Sequence, residues 1–95
     1  MKEAIKPHYV YILRCADHTL YTGYTDNVEK RIAAHAAGKG AKYTRGRGPL
    51  VLMHQEAYST KREALQRERE IKSWNREKKE MLIQNNRGGR HETTT

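Results

Sequence analysis

Phenylalanine is missing from this chain altogether, so six tyrosines and one tryptophan carry all of its aromatic surface. A buried phenol packs like a phenyl ring but must find a hydrogen-bond partner for its hydroxyl. Tyrosines placed where Phe would pack as well therefore either reach water or serve a site. Cysteine is reduced to Cys15 alone. That excludes an internal disulfide and a thiolate cluster for structural zinc, leaving oxygen and imidazole as the ligands for any metal. Long apolar runs are also missing: YVYIL and LVLM are far too short to span a bilayer, and MKEAIKPH has no signal-peptide core. These absences lead us to expect a soluble, cytoplasmic protein with no membrane partner. Acidic residues are scarce, 11 against 19 Lys and Arg, for a net charge of +8. Such a balance favours polyanionic partners, nucleic acid first.

Ninety-five residues with 36% apolar and 32% charged side chains allow one small domain with a lean core. The β-branched and aromatic run from Tyr9 to Cys15 predicts a strand, Ala16-Asp17-His18 a turn, and Leu20 to Thr25 a return strand. Asp26 with Glu29 three residues later forms a capping box for a helix reaching about Ala37, with Gly38 as its left-handed terminator. GKGAKYTRGRGP, residues 38–49, contains four glycines, four cations and one tyrosine, and reads as a basic loop. Leu50 to Gln55 predicts a third strand. Thr60 and Glu63 form a second capping box, opening a helix through about Trp74, and Asn75 caps another through Ile83. QNNRGGRHETTT is almost without apolar residues and is expected to be a disordered polar tail. The expected layout is a domain over residues 8–83 and a tail over 84–95. Its fold class is α/β, a three-stranded antiparallel sheet flanked by helices.

Both main helices carry charge in the stripe that should face inward. Val28, Arg31, Ile32 and His35 share one face of the first, and Ala64, Leu65, Glu68 and Ile71 share one face of the second. Burying a charge whose partner is missing costs on the order of 3–5 kcal/mol, so Arg31 needs an anion and Glu68 a cation. One solution is a buried Arg31–Glu68 salt bridge, with His35 as a hydrogen-bonded boundary residue. The other is a site in which the guanidinium takes a phosphate, the carboxylate takes a hard divalent cation, and phenols or imidazole move protons. That combination suits metal-assisted phosphodiester hydrolysis.

Over Tyr9 to Ile83 the chain resembles the GIY-YIG nuclease family. Its first triplet is Tyr9-Val10-Tyr11, with Tyr9 standing where the family name has Gly, and its second is Tyr21-Thr22-Gly23. The resemblance implies that Tyr11 and Tyr21 are the site tyrosines, that Arg31 is the arginine following the second triplet, and that Glu68 binds the metal. His35 resembles a histidine that some restriction-type members use in catalysis. GKGAKYTRG and REIKSWNREKKEMLI are similar to the small stand-alone bacterial branch, close to the catalytic domains of the excision-repair incision subunit and of structure-specific endonucleases. Many members also use a late asparagine, for which Asn75 is a candidate that reads first as a helix cap.

The implied function is a Mg²⁺- or Mn²⁺-dependent endonuclease acting on DNA, in nicked, branched or single-stranded form, in repair or recombination. DNA is favoured over RNA, and no obligate protein partner is implied. The alternative is a catalytically weak nucleic-acid-binding module of the same fold. Tyr11 and Tyr21 share a sheet face only if hairpin partners sum to an even number, such as Cys15 with Thr19. Water is the nucleophile, with Tyr11, Tyr21 or His35 as its base. Gly23 allows close backbone approach at the site, or marks a bulge. Lys39, Lys42, Tyr43, Arg45 and Arg47 resemble a phosphate-tracking loop with one ring for base stacking, whose bland counterpart is a solvated flexible loop. Trp74 is expected to anchor the core, Lys72, Arg76, Lys78 and Lys79 to solubilise, and Tyr24, His54 and Tyr58 to be ordinary strand or boundary residues.

Overall fold

A computed structural model describes residues 6–39 and 49–93, with side chains to residue 85. Three antiparallel strands, β1 (His8–Arg14), β2 (Leu20–Thr25) and β3 (Val51–Tyr58), form one sheet in the order β2-β1-β3. The β1–β2 hairpin has the even-sum register: Tyr11 lies opposite Gly23 and Leu13 opposite Tyr21. Its three-residue turn is closed by Cys15 N–H donating to Thr19 O at 2.9 Å. Asp17 Oδ1 accepts from the Thr19 hydroxyl at 2.6 Å, and His18 supplies the left-handed residue with φ 70°. β3 extends beyond Gln55 to Tyr58, and its pairing with β1 shifts register between Ile12 and Leu13.

Strand alternation sorts the central strand into two faces. Val10 and Ile12 pack with Ala64, Ile71 and Ile83 from α2 (Lys61–Lys72) and α3 (Arg76–Thr93), forming the hydrophobic core. Burying an isoleucine of this kind stabilises by about 1.5–3 kcal/mol. The opposite face carries Tyr11, Leu13 and Cys15, all buried, on the side of His35 from α1 (Val28–Ala36). The result is three layers, with α1 on one side of the sheet and α2 and α3 on the other.

Helix boundaries correct several expectations. The cap of α1 is Asn27, not Asp26: its extended backbone turns Oδ1 onto the Lys30 N–H at 3.0 Å. Thr25 Oγ1 accepts from the Asn27 N–H at 3.1 Å and fixes this choice, so Glu29 falls one place short of the capping-box position. Gly38 ends the helix with φ 80°, as its position predicted. Thr60 caps α2 through the Glu63 N–H at 3.1 Å, but the Glu63 carboxylate receives the Ser59 hydroxyl instead of closing the box. α2 stops at Lys72, before Trp74, and Asn75 Oδ1 caps α3 through the Lys78 N–H at 2.9 Å. The α3 backbone continues past Ile83 to Thr93, where a polar tail was expected. Among the described residues no helix is long and apolar enough to cross a membrane.

Candidate active site

Tyr11 leaves β1 on the α1 side, and its ring lies over its cross-strand partner, Gly23. A Cβ at Gly23 would stand 2.5 Å from Tyr11 Oη, 2.6 Å from its Cζ and 3.0 Å from Tyr21 Cε2. A side chain here could not fit without shifting the Tyr11 ring, so glycine lets the ring pack close to the β2 backbone. Gly23→Ala is expected to push the Tyr11 phenol aside. A displacement of about 1 Å costs roughly 10²-fold in activity at a site of this kind. The shift is read independently as altered tyrosine and His35 ring resonances in NMR spectra.

The displaced partner would be His35. Its Nε2 stands 3.0 Å from Tyr11 Oη, and both side chains are buried, at 3% and 2% exposure. The His35 ring also meets the half-buried Tyr21 edge-on with centroids 5.4 Å apart, and Tyr11 and Tyr21 lie 6.2 Å apart. Burial, then the charge of Arg31, lower the His35 pKa below the ordinary imidazole value. Neutral imidazole can accept at Nε2 while the phenol donates. Burial also pushes Tyr11 well above the usual phenol range, helped by Tyr21 and the carboxylate of Glu68 and opposed by the guanidinium of Arg31. The phenol is thus protonated at neutral pH and lies within electrostatic reach of both expected charges.

Those charges are not sealed together. Arg31 is exposed on the flank of α1, since of its stripe only His35 is buried and Val28 and Ile32 are half-buried. Glu68 pairs with Lys72, one helical turn on, at 3.1 Å, and its side chain retains 17% exposure. The dry Arg31–Glu68 salt bridge among the two sequence readings is therefore not what forms. Arg31 and His35 on α1 and Glu68 on α2 thus come from opposite layers, and the charges of Arg31 and Glu68 both act on the Tyr11 phenol. Among the described residues no group of three or more His, Cys, Asp or Glu is arranged to hold a metal ion.

Sequence reasoning passed over a second polar cluster on the other sheet face. Arg67 donates from Nε to Glu56 Oε1 at 2.9 Å and from Nη2 to Oε2 at 3.1 Å, while Nη1 reaches Glu70 at 3.0 Å. The Tyr58 hydroxyl also donates to Glu56, and His54 Nε2 stands 2.7 Å from it. Despite its burial, the Glu56 carboxyl is pulled down to about 2 by these hydrogen bonds, and Tyr58 is pushed up to about 12, chiefly by burial and by Glu56. Trp74 packs against the core with the Arg67 guanidinium 5.1 Å and the Lys78 ammonium 4.5 Å from its ring centroid. By tethering Arg67 to β3, the cluster fixes the rotation of α2 and with it the direction of Glu68, the next residue. The alternation of His54, Glu56 and Tyr58 on one face of a strand was the available signal.

Of the proposed loop residues, Lys39 is exposed just after α1, and Lys42, Tyr43, Arg45 and Arg47 lie outside the described residues. Asn75 is engaged as the α3 cap, away from the tyrosines.

Residues 7–81 match the GIY-YIG catalytic domain, which makes this a nuclease-type fold. The chain belongs to this family. It is 62% identical over 81 residues to a UPF0213 protein of Natronomonas pharaonis, covering 85% of this chain and 95% of the relative. A UPF0213 protein of Staphylococcus haemolyticus is 60% identical over 77 residues, covering 81% and 94%. Among solved structures, the solution NMR structure of a UPF0213 protein from Bacillus halodurans is similar over 94% of both chains, with 54% identity and TM-score 0.57. That of a protein from E. faecalis covers 90% of both chains, with 38% identity and TM-score 0.60.

Proposed function

We propose that this protein is a divalent-metal-dependent endonuclease that hydrolyses DNA phosphodiester bonds, with nicked, branched or single-stranded DNA as its substrates in repair or recombination. The observation that carries this reading is the buried Tyr11–His35 hydrogen bond with Arg31 and Glu68 both acting on the same phenol. A packed core has no use for that combination.

The donor set fits Mg²⁺ or Mn²⁺. Mg²⁺ keeps several waters and needs only one or two carboxylates, so Glu68 is enough to hold it. The Lys72 ammonium now beside Glu68 is half exposed, and such a surface pair, worth about 1 kcal/mol or less, yields readily to a divalent cation. When bound, the ion polarises the scissile phosphate and offsets charge on the leaving oxygen. Arg31, exposed and with its charge felt at Tyr11, clamps a non-bridging oxygen and stabilises the extra charge of the pentacovalent transition state. A water attacks phosphorus as the bond from phosphorus to the leaving sugar oxygen breaks; the water gives its proton to Tyr11 Oη as the Tyr11 proton passes to His35 Nε2, and the leaving oxygen takes a proton from a solvent water. Tyr21, the less buried phenol, orients the attacking water. This assigns the base to the Tyr11–His35 pair, with the imidazole as the proton acceptor.

Incubation with supercoiled plasmid and branched oligonucleotides in Mg²⁺, Mn²⁺ or EDTA tests the reading. Metal-dependent nicking is expected, and Arg31→Ala should lower it about 10²–10³-fold, the usual cost of removing one transition-state donor. Because the acceptor must be unprotonated and the His35 pKa is lowered, nicking should persist as pH falls past ~6.5 and fade only in more acidic solution. Salt-sensitive DNA binding without nicking would leave a nucleic-acid-binding module of this fold and would defeat the enzyme reading.

A further inference from the structure

The cations of α2 differ in how they are held. Arg67 is held by Glu56 and Glu70, and Lys72 pairs with Glu68. Arg62 and Arg69 are exposed, and among the described residues neither has a carboxylate partner. Their neighbours three and four places away are Ser59, Tyr58, Leu65 and Gln66 for Arg62, and Leu65, Gln66, Lys72 and Ser73 for Arg69. None is acidic, so the helix offers these guanidiniums no pairing of the kind that neutralises Arg67.

Their placement is equally uneven. At 3.6 residues per turn, the helix surface on the solvent side of Glu68 runs through Lys61, Lys72 and Leu65 to Arg69 and Arg62. Glu63 and Glu70 lie on the opposite flank with Arg67. A groove of about 500 Å³ is lined by Lys61, Arg62, Leu65, Gln66 and Arg69. The groove is thus cationic, begins next to the carboxylate assigned to the metal, and contains one half-buried leucine instead of a broad apolar face. A lipid surface calls for a broad apolar face, whereas a sugar–phosphate backbone needs spaced donors.

We propose that this flank of α2 is a nucleic-acid contact surface, in which Arg62 and Arg69 bind successive phosphates of the strand that passes Glu68. The assignment rests on the nuclease reading for its direction, since it places the strand beside the scissile phosphate.

The test is binding of a short fluorescein-labelled DNA duplex, followed by anisotropy in EDTA over a series of salt concentrations, so that no turnover is involved. Arg62→Ala/Arg69→Ala should weaken binding about ten-fold at moderate salt and reduce the slope of log affinity against log salt by about 2, one for each phosphate no longer neutralised. Arg62→Lys/Arg69→Lys should restore most of both, and melting temperatures should match wild type because both positions are exposed. Glu68→Gln should bind at least as well as wild type. Unchanged affinity and slope in the double alanine variant would overturn the proposal, even if the protein nicks DNA. Loss of binding to phosphatidylserine vesicles with unchanged DNA binding would also overturn it, in favour of a membrane surface. Weakened DNA binding in the double alanine variant, in a protein that nicks nothing, would support the surface and defeat only the nuclease reading.

Discussion

Glu68→Gln is expected to lower metal-dependent nicking by about 10³-fold, the effect of losing several kcal/mol of metal-supplied charge stabilisation. The same substitution should leave the fold intact. Glu68 contributes to stability only through a partly exposed pair with Lys72, worth about 1 kcal/mol or less. Glutamine keeps the shape and the hydrogen-bonding capacity while removing the charge. A large loss of rate with an unchanged denaturation midpoint is therefore the signature of a residue that serves chemistry. Equal nicking by wild type and variant would show that the activity came from elsewhere.

Glu56→Gln should behave in the opposite way, with stability as the quantity lost. The Glu56 carboxylate, 17% exposed, accepts two hydrogen bonds from Arg67 and one from Tyr58, and it meets His54. Removing its charge leaves the part-buried Arg67 guanidinium with only the exposed Glu70 as a carboxylate partner, at a cost of up to about 3 kcal/mol. For a domain of this size that is a large share of the total. The pH dependence gives the sign. The carboxyl is lowered to about 2 in the folded protein from an ordinary value of 4.5. Its stabilisation, about 3 kcal/mol, is fully present above the ordinary value and is lost as pH falls from there toward the folded one. Urea denaturation at neutral pH and near pH 3 should show most of that loss, about 2 kcal/mol, in wild type and a much flatter response in Glu56→Gln. Matching curves for the two proteins would mean that the cluster does not tie α2 to β3.

These two glutamates also show what could be read from sequence. Glu68 was visible because it interrupts an apolar helical stripe, and its neighbours Ala64 and Ile71 are indeed fully buried. The hairpin register was equally legible, since a three-residue turn between Cys15 and Thr19 puts Tyr11 and Tyr21 on one face whatever the rest of the fold does. Glu56 was hidden. Its alternation with His54 and Tyr58 looks like the polar face of an edge strand, and only Arg67 arriving from α2 turns it into a partly buried ion pair. Arg31 was misjudged in its surroundings, because spacing along a helix gives a common face but not how far a short helix is sunk against the sheet. The spacing of Asp26 and Glu29 points to Asp26 as the cap of α1, but the cap is Asn27. The Thr25 hydroxyl decides it in three dimensions. The continuation of α3 has no apolar stripe to announce it, and its two glycines argue against helix on propensity alone.

The central claim is that Glu68, Tyr11, Tyr21, Arg31 and His35 surround one place where a divalent cation and a phosphate meet. The most direct test is a Mn²⁺ titration of the isotopically labelled protein, followed by paramagnetic broadening of its NMR signals. The account predicts that Glu68 and the rings of Tyr11, Tyr21 and His35 broaden first, and that Glu68→Gln removes the effect. Broadening centred on the Glu77 and Glu80 surface of α3, or unchanged by that substitution, would contradict it.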